Sequence, residues 1–218
     1  MKWYIHNWYH LAAIALVALT FIMGLWGYDQ VSTTTLILIY SFMALLAHQS
    51  EEYVVPGGAQ IILNAAFYGE TKDYDRYPGN AFNASIVNTS AYVFYGLAII
   101  FPQFVWLGLA TMFFGFFQVL GHGLQMNIKS KGWYNPGLAT AVFLHLPIGI
   151  YYIAHVHSEN LIVGTDYLWG AIAFVVAIAL TVVLPVQGTK KRDNVYPFTP
   201  EELNKFHMLD KLKSRGVI

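Results

Sequence analysis

Six long apolar runs alternate with short polar breaks along the chain, at residues 9–26, 31–53, 83–101, 104–125, 138–156 and 167–185. Each is close to the roughly 20 residues that carry a helix across about 30 Å of hydrocarbon. The pattern predicts an all-α, polytopic membrane protein. Residues 1–186 form a bundle of six transmembrane helices and 187–218 a short cytoplasmic, basic, helical tail. Lys2 precedes the first run as it would in a secretion signal, but no small-x-small site follows, so the run reads as a retained anchor.

The breaks carry turn chemistry. Only Pro102 and Gln103 separate the third and fourth runs, which requires an antiparallel helical hairpin. Pro56-Gly57-Gly58 ends the second helix. Tyr134-Asn135-Pro136-Gly137 opens the fifth, with Asn135 as N-cap and Pro136 at the first helical position. Residues 59–70 space Ile61, Ile62, Ala65 and Ala66 at helical intervals, which fits either an interfacial segment roofing the bundle or an ordinary loop helix. In the tail, Thr199-Pro200-Glu201-Glu202 is a helix start, and Lys190-Lys191-Arg192 suits anionic headgroups or a partner.

Composition narrows the chemistry. Of 218 residues 56% are hydrophobic and only 11% charged, far from the balance of a soluble domain. Net charge is zero and no exposed basic cluster is interleaved with aromatics, so nucleic acid is not an expected partner. The chain has no cysteine, which excludes disulfides, thiolate catalysis and sulfur ligation; a metal would be held by nitrogen and oxygen. No haem, flavin or nucleotide signature is present. All 12 Lys and Arg fall in loops on one side of a six-span arrangement, and the opposite loops have none. The positive-inside rule then places both termini in the cytoplasm; if the source is bacterial, the membrane is the plasma (inner) membrane.

This topology gives each polar residue a depth. His48-Gln49-Ser50-Glu51-Glu52 sits at the cytoplasmic end of the second run, and residues three and four apart on a helix share a face. His122 and Gln125 reach the same depth on the fourth helix. Asn83, Asn88 and His145 reach it from the third and fifth, His145 at about 12 Å from its helix start. Two readings of the glutamates stand. The helix could end at Ala47, leaving them at the headgroups. Otherwise they lie inside the span, where each ionisable group costs about 2.5–3.5 kcal/mol on insertion scales and faces a cavity or partner. His122, between Gly121 and Gly123, is a ligand or a bond to a neighbouring helix. His145, before Leu146-Pro147, is a ligand or the partner of a carbonyl freed by the proline. His6 and His10 belong with Trp3, Trp8 and Tyr9 in an aromatic belt.

The motif resembles the one that names the HXXEE-domain family of membrane proteins, marked also by a further histidine and a YxPG sequence. Tyr134-Asn135-Pro136-Gly137 fits the latter, and His122, twelve residues earlier, the former. Tyr77-Pro78-Gly79 is an incomplete echo and reads as a loop turn. The resemblance covers residues 11–155 and implies no particular reaction.

The residues themselves point to a membrane-embedded enzyme acting on a lipid or other apolar small molecule. A divalent transition metal (zinc, iron or manganese) would be held by His48, Glu52, His122 and His145. Glu51 and Glu52 would supply proton transfer, with Gln125, Asn88, Tyr134, Asn135, Pro136 and Gly137 as support. The alternatives are a metal-free His/Glu acid-base enzyme resembling an isomerase, a proton- or cation-coupled transporter, and a non-catalytic membrane protein. Membrane lipids are the expected surroundings in every case.

Overall fold

The apolar runs fold as α-helices and no strand forms; the computed structural model describes residues 1–218. After one turn at Lys2–Ile5 come α1 (Trp8–Leu25), α2 (Thr33–Tyr53), α3 (residues 59–67), α4 (Ala81–Ile100), α5 (Val105–Lys129), α6 (Leu138–Ser158), α7 (Gly164–Thr189) and α8 (Met208–Ser214). Five of these, α1, α4, α5, α6 and α7, are long and apolar enough to cross a membrane. With 21 residues α2 has the length, but its last third carries the polar motif and it is not among the five.

Helix starts follow the local sequence. Ser32 accepts the Thr35 N–H at the head of α2, and Asn80 and Asn83 exchange side-chain and backbone bonds at the head of α4. At the head of α6 the expected arrangement fails. The helix begins at Leu138, not Pro136, with Gly137 at φ +104° before it, and the Asn135 side chain is turned away. Four helices contain a wide π-helical turn: residues 62–67 of α3, 121–126 of α5, 141–145 of α6 and 179–183 of α7. In α6 and α7 the wide turn ends just before Leu146-Pro147 and Leu184-Pro185. Proline offers no N–H and crowds the preceding turn, and the widened turn absorbs both defects.

α5 is the centre of the bundle and packs on α4, α6 and α7, while α2 packs on α1, α4 and α6. One apolar core, with Leu38, Leu109, Met112 and Tyr152, fills one end of the bundle. At the other end Trp8, Tyr9, Tyr53, Ile61 and Ile62 form a second core, completed by Phe198, Leu203, Met208 and Leu212 of the C-terminal segment. That segment thus folds back on the helices. Arg192 reaches Glu70 at 2.8 Å and Asp73 at 2.6 Å, and the Lys205 ammonium donates to the Tyr53 carbonyl at the end of α2. Partial burial lowers the pKa of Lys205. The capping box at Thr199 and Glu202 starts only a single turn, Pro200–Leu203.

Candidate metal centre

α2 does not stop at Ala47. It runs on to Tyr53, so His48 is 2% and Glu51 6% exposed, both inside the protein and not at its surface. A carboxylate buried there must find donors, and those of Glu51 come from Tyr134 and the first turn of α6. One oxygen accepts the Tyr134 hydroxyl at 2.8 Å and the Ala139 N–H at 3.0 Å; the other accepts the Thr140 N–H at 2.7 Å and its hydroxyl at 2.5 Å. The first N–H groups of a helix lack intrahelical partners and favour negative charge. Glu51 therefore caps α6 from another helix, the place expected for Asn135. With both oxygens committed to four donors, Glu51 has no free lone pair aimed at a reacting molecule. This revises its expected role in proton transfer.

The Thr140 hydroxyl proton is spent on Glu51, so its oxygen accepts from His48 Nδ1–H at 2.9 Å. His122 is fixed in the same way. Its Nδ1–H donates to the Asn135 side-chain oxygen at 2.6 Å, while the Asn135 amide nitrogen donates to the His122 carbonyl and the Asn127 side chain, each at 2.7 Å. These bonds assign the Nδ1–H tautomer to both rings. Each Nε2 is left as a lone pair, and both face Glu52. The Oε1 of Glu52 is 3.4 Å from Nε2 of His122 and 3.9 Å from Nε2 of His48. The two rings stand edge to face with centroids 4.8 Å apart, and His48 Nε2 has no hydrogen-bond partner. Two nitrogens and a carboxylate oxygen, all within 4.8 Å of one another, thus share a buried point with no donor between them. Such a set repels itself unless a cation or a proton sits in the middle. The cluster could hold a metal ion.

His145 is 3% exposed on the wide turn of α6, with its ring centroid 5.4 Å from that of His48 and its Nε2 unpaired. Its nitrogens stand outside the 4.8 Å set, so it lies behind the three converging groups. Gly137 explains the last letter of the YxPG sequence. A Cβ at its position would come within 2.4 Å of the His122 ring, and its φ of +104° is unfavourable for any side chain. Tyr134 serves Glu51, Asn135 orients His122, and Pro136 precedes the glycine in the same turn.

The other expected residues divide. Asn88 supports the site from α4: its amide donates to the Tyr53 hydroxyl at 3.2 Å, and its carbonyl accepts from Gln49 at 3.1 Å. Gln125 is exposed, because in the wide turn at 121–126 residues three apart no longer share a face with His122. His6 bonds Glu202 at 3.1 Å and His10 is exposed, while His155 and His157 pair with Thr34 and Tyr167 at the other end of the bundle. Thr140, Asn127 and Gln49 were not expected. A signal for Thr140 exists in the sequence, since it follows Gly137 by three residues in the first turn of a helix, where a donor-rich terminus needs an acid.

Beside Glu52 lies a cavity of about 180 Å³ between α2, α3, α4, α5 and α7. Leu45, Ala91, Phe114, Phe117 and Ile178 give it apolar walls; His48, Gln49, Asn88 and Gln118 add polar groups near the carboxylate. Gln118 precedes His122 by one turn of α5.

A family described as "Protein of unknown function with HXXEE motif" matches residues 37–152, which contain every residue of this centre. No curated protein and no solved structure matches the chain.

Proposed function

Since the chain belongs to the HXXEE family, whose description names a motif and no activity, we propose a function from the centre itself: a membrane-embedded enzyme that uses a metal ion held by His48, Glu52 and His122. The observation that carries this reading is the pair of histidines whose Nδ1–H groups are both tied down, so that both Nε2 lone pairs meet one carboxylate. Ligand atoms about 2.1 Å from a tetrahedral ion stand roughly 3.4 Å apart. The Glu52 separations of 3.4 and 3.9 Å are close to that spacing, and with all three ligand atoms within 4.8 Å of one another, adjustments of the three side chains would close them around an ion. Nitrogen and oxygen donors without sulfur suit zinc, iron or manganese. Bound there, the metal would supply Lewis acidity.

The protein's own groups have separate tasks. Glu51, through Thr140, orients His48 and raises its basicity; Asn135 does the same for His122. Three protein ligands would leave a four-coordinate ion room for one more; His48 and Glu52 also line the cavity, whose apolar walls favour a lipid or other apolar substrate. Topologically, we read α2 as a sixth span beside the five apolar helices. All 12 Lys and Arg would then lie on the cytoplasmic side with both termini, and the centre in that half of the bilayer. One rival has an observation in its favour: His122 and Glu52, at 3.4 Å, could share a proton and act as a metal-free acid-base pair.

X-ray absorption of the purified, metal-loaded protein separates the two. The expected first shell contains two imidazoles and one carboxylate, with one imidazole lost in His48→Ala. A shell without histidine, or one unchanged by the substitution, favours the proton pair.

A further inference from the structure

The cavity beside Glu52 is too small for a whole lipid, and its surroundings show where the rest of one would go. α4 packs against the second half of α7, residues 179–189, and parts from its first half. Between them opens a groove of about 420 Å³ walled by Val93, Phe94, Leu97, Val176 and Leu180. Val93, Val176 and Leu180 are 67%, 48% and 58% exposed, so the groove faces outward from the bundle, where the bilayer would be. Its two hydroxyls are spent internally: Ser90 donates to the Val87 carbonyl and Thr181 to that of Ala177. The groove thus offers no free hydrogen-bonding group, and only hydrocarbon fits it without a desolvation cost.

The groove and the inner cavity are walled by neighbouring residues of the same two helices. Ser90, Ala177 and Thr181 line the groove, while Ala91, Ile178 and Val182 line the cavity. The wide turn at 179–183 carries residues of both linings, Leu180 and Thr181 on the groove and Val182 on the cavity. The two differ in polarity: the groove has no free polar group, whereas the cavity carries the amides of Gln49 and Gln118 and the carboxylate of Glu52.

Resting on the reading of this centre as an enzyme site, we infer that the substrate is a single-chain amphiphile. Its hydrocarbon chain lies in the α4–α7 groove, and its polar, reacting end passes into the cavity at Glu52. The α4–α7 seam is then the lateral entrance from the bilayer.

The test uses full-length protein in detergent, a long-chain fatty alcohol bearing a mid-chain diazirine, and the corresponding alkane as control. Photolabelling by the alcohol should map to residues 90–97 and 173–181 and exceed that by the alkane. In Ala173→Trp and Val93→Trp, which fill the groove from opposite walls, it should fall about tenfold, equivalent to roughly 1.4 kcal/mol of binding. Metal content, counted on the same samples, should not change. Label spread evenly over α1, α5 and α6, equal labelling by the alkane, or labelling unaffected by both tryptophans would overturn the inference. Groove-specific labelling of a protein that holds no metal would support the entrance and remove the metal reading, so the two fail separately.

Discussion

Adjacent glutamates in one motif have opposite fates, and the difference lies in about 100° of helix rotation between neighbouring residues. Glu51 turns to the head of α6 and accepts four hydrogen bonds; Glu52 turns to the two free Nε2 atoms. Both candidates were legible as a pair from their spacing to His48, but not which would be committed to a helix end, because that depends on a contact 88 residues away. The separation predicts different phenotypes. Glu52→Gln should abolish metal retention while leaving the fold intact by circular dichroism. Glu51→Ala should instead lower thermal stability by the cost of unsatisfied buried donors, about 1–3 kcal/mol per group, with metal weakened as a consequence. Gly137→Ala is the sharpest steric test. The added methyl meets the His122 ring, and the expected result is loss of metal with full-length, monodisperse protein still produced.

At the scale of elements, the bounds of the apolar runs located the long helices to within a few residues, since burial and membrane length both act on whole runs. The departures cluster where side chains from different helices meet. α6 starts at Leu138 because an acid from α2 caps it, and Gln125 leaves the site because α5 widens at 121–126. Neither could be read from one segment alone. His122 and His145 both occupy wide turns, a feature that often marks functional positions. Thr140 links two elements through one hydroxyl, which gives a graded prediction. Thr140→Ser keeps the relay from Glu51 to His48 and should retain metal affinity. Thr140→Val removes it and should weaken affinity about 10–100-fold, the usual effect of losing an outer-shell partner, as measured by competition with a chromogenic chelator.

For the molecule as a whole, the C-terminal segment is part of the folded body. Its basic residues were legible as a count and as an expected cytoplasmic side, whereas their partners, the Tyr53 carbonyl and the carboxylates of Glu70 and Asp73, required the fold. Leu212, wholly buried in the core beneath it, should cost about 2–5 kcal/mol when truncated to alanine, seen as a lower melting temperature in detergent. The loop ahead of α4 should respond to acid. The Lys72 N–H, with Arg192 beside it, holds the Glu70 carboxyl below its ordinary range. Its contribution is present above the unfolded carboxylate range and is lost as pH falls through the lowered folded value. Hydrogen-exchange protection of residues 70–77 should therefore fall below about pH 4. Orientation is open to direct measurement, because the chain has no cysteine. A membrane-impermeant maleimide should label Ser158→Cys in intact cells and Asp193→Cys only after permeabilisation.

The measurement that bears most directly on the central claim is metal stoichiometry by inductively coupled plasma mass spectrometry. It compares wild-type protein, His122→Ala and Glu52→Gln, each purified without affinity metals. The expected result is one zinc, iron or manganese ion per wild-type chain and none in either variant. Wild-type protein without metal, or variants that keep it in full, would contradict the centre proposed here.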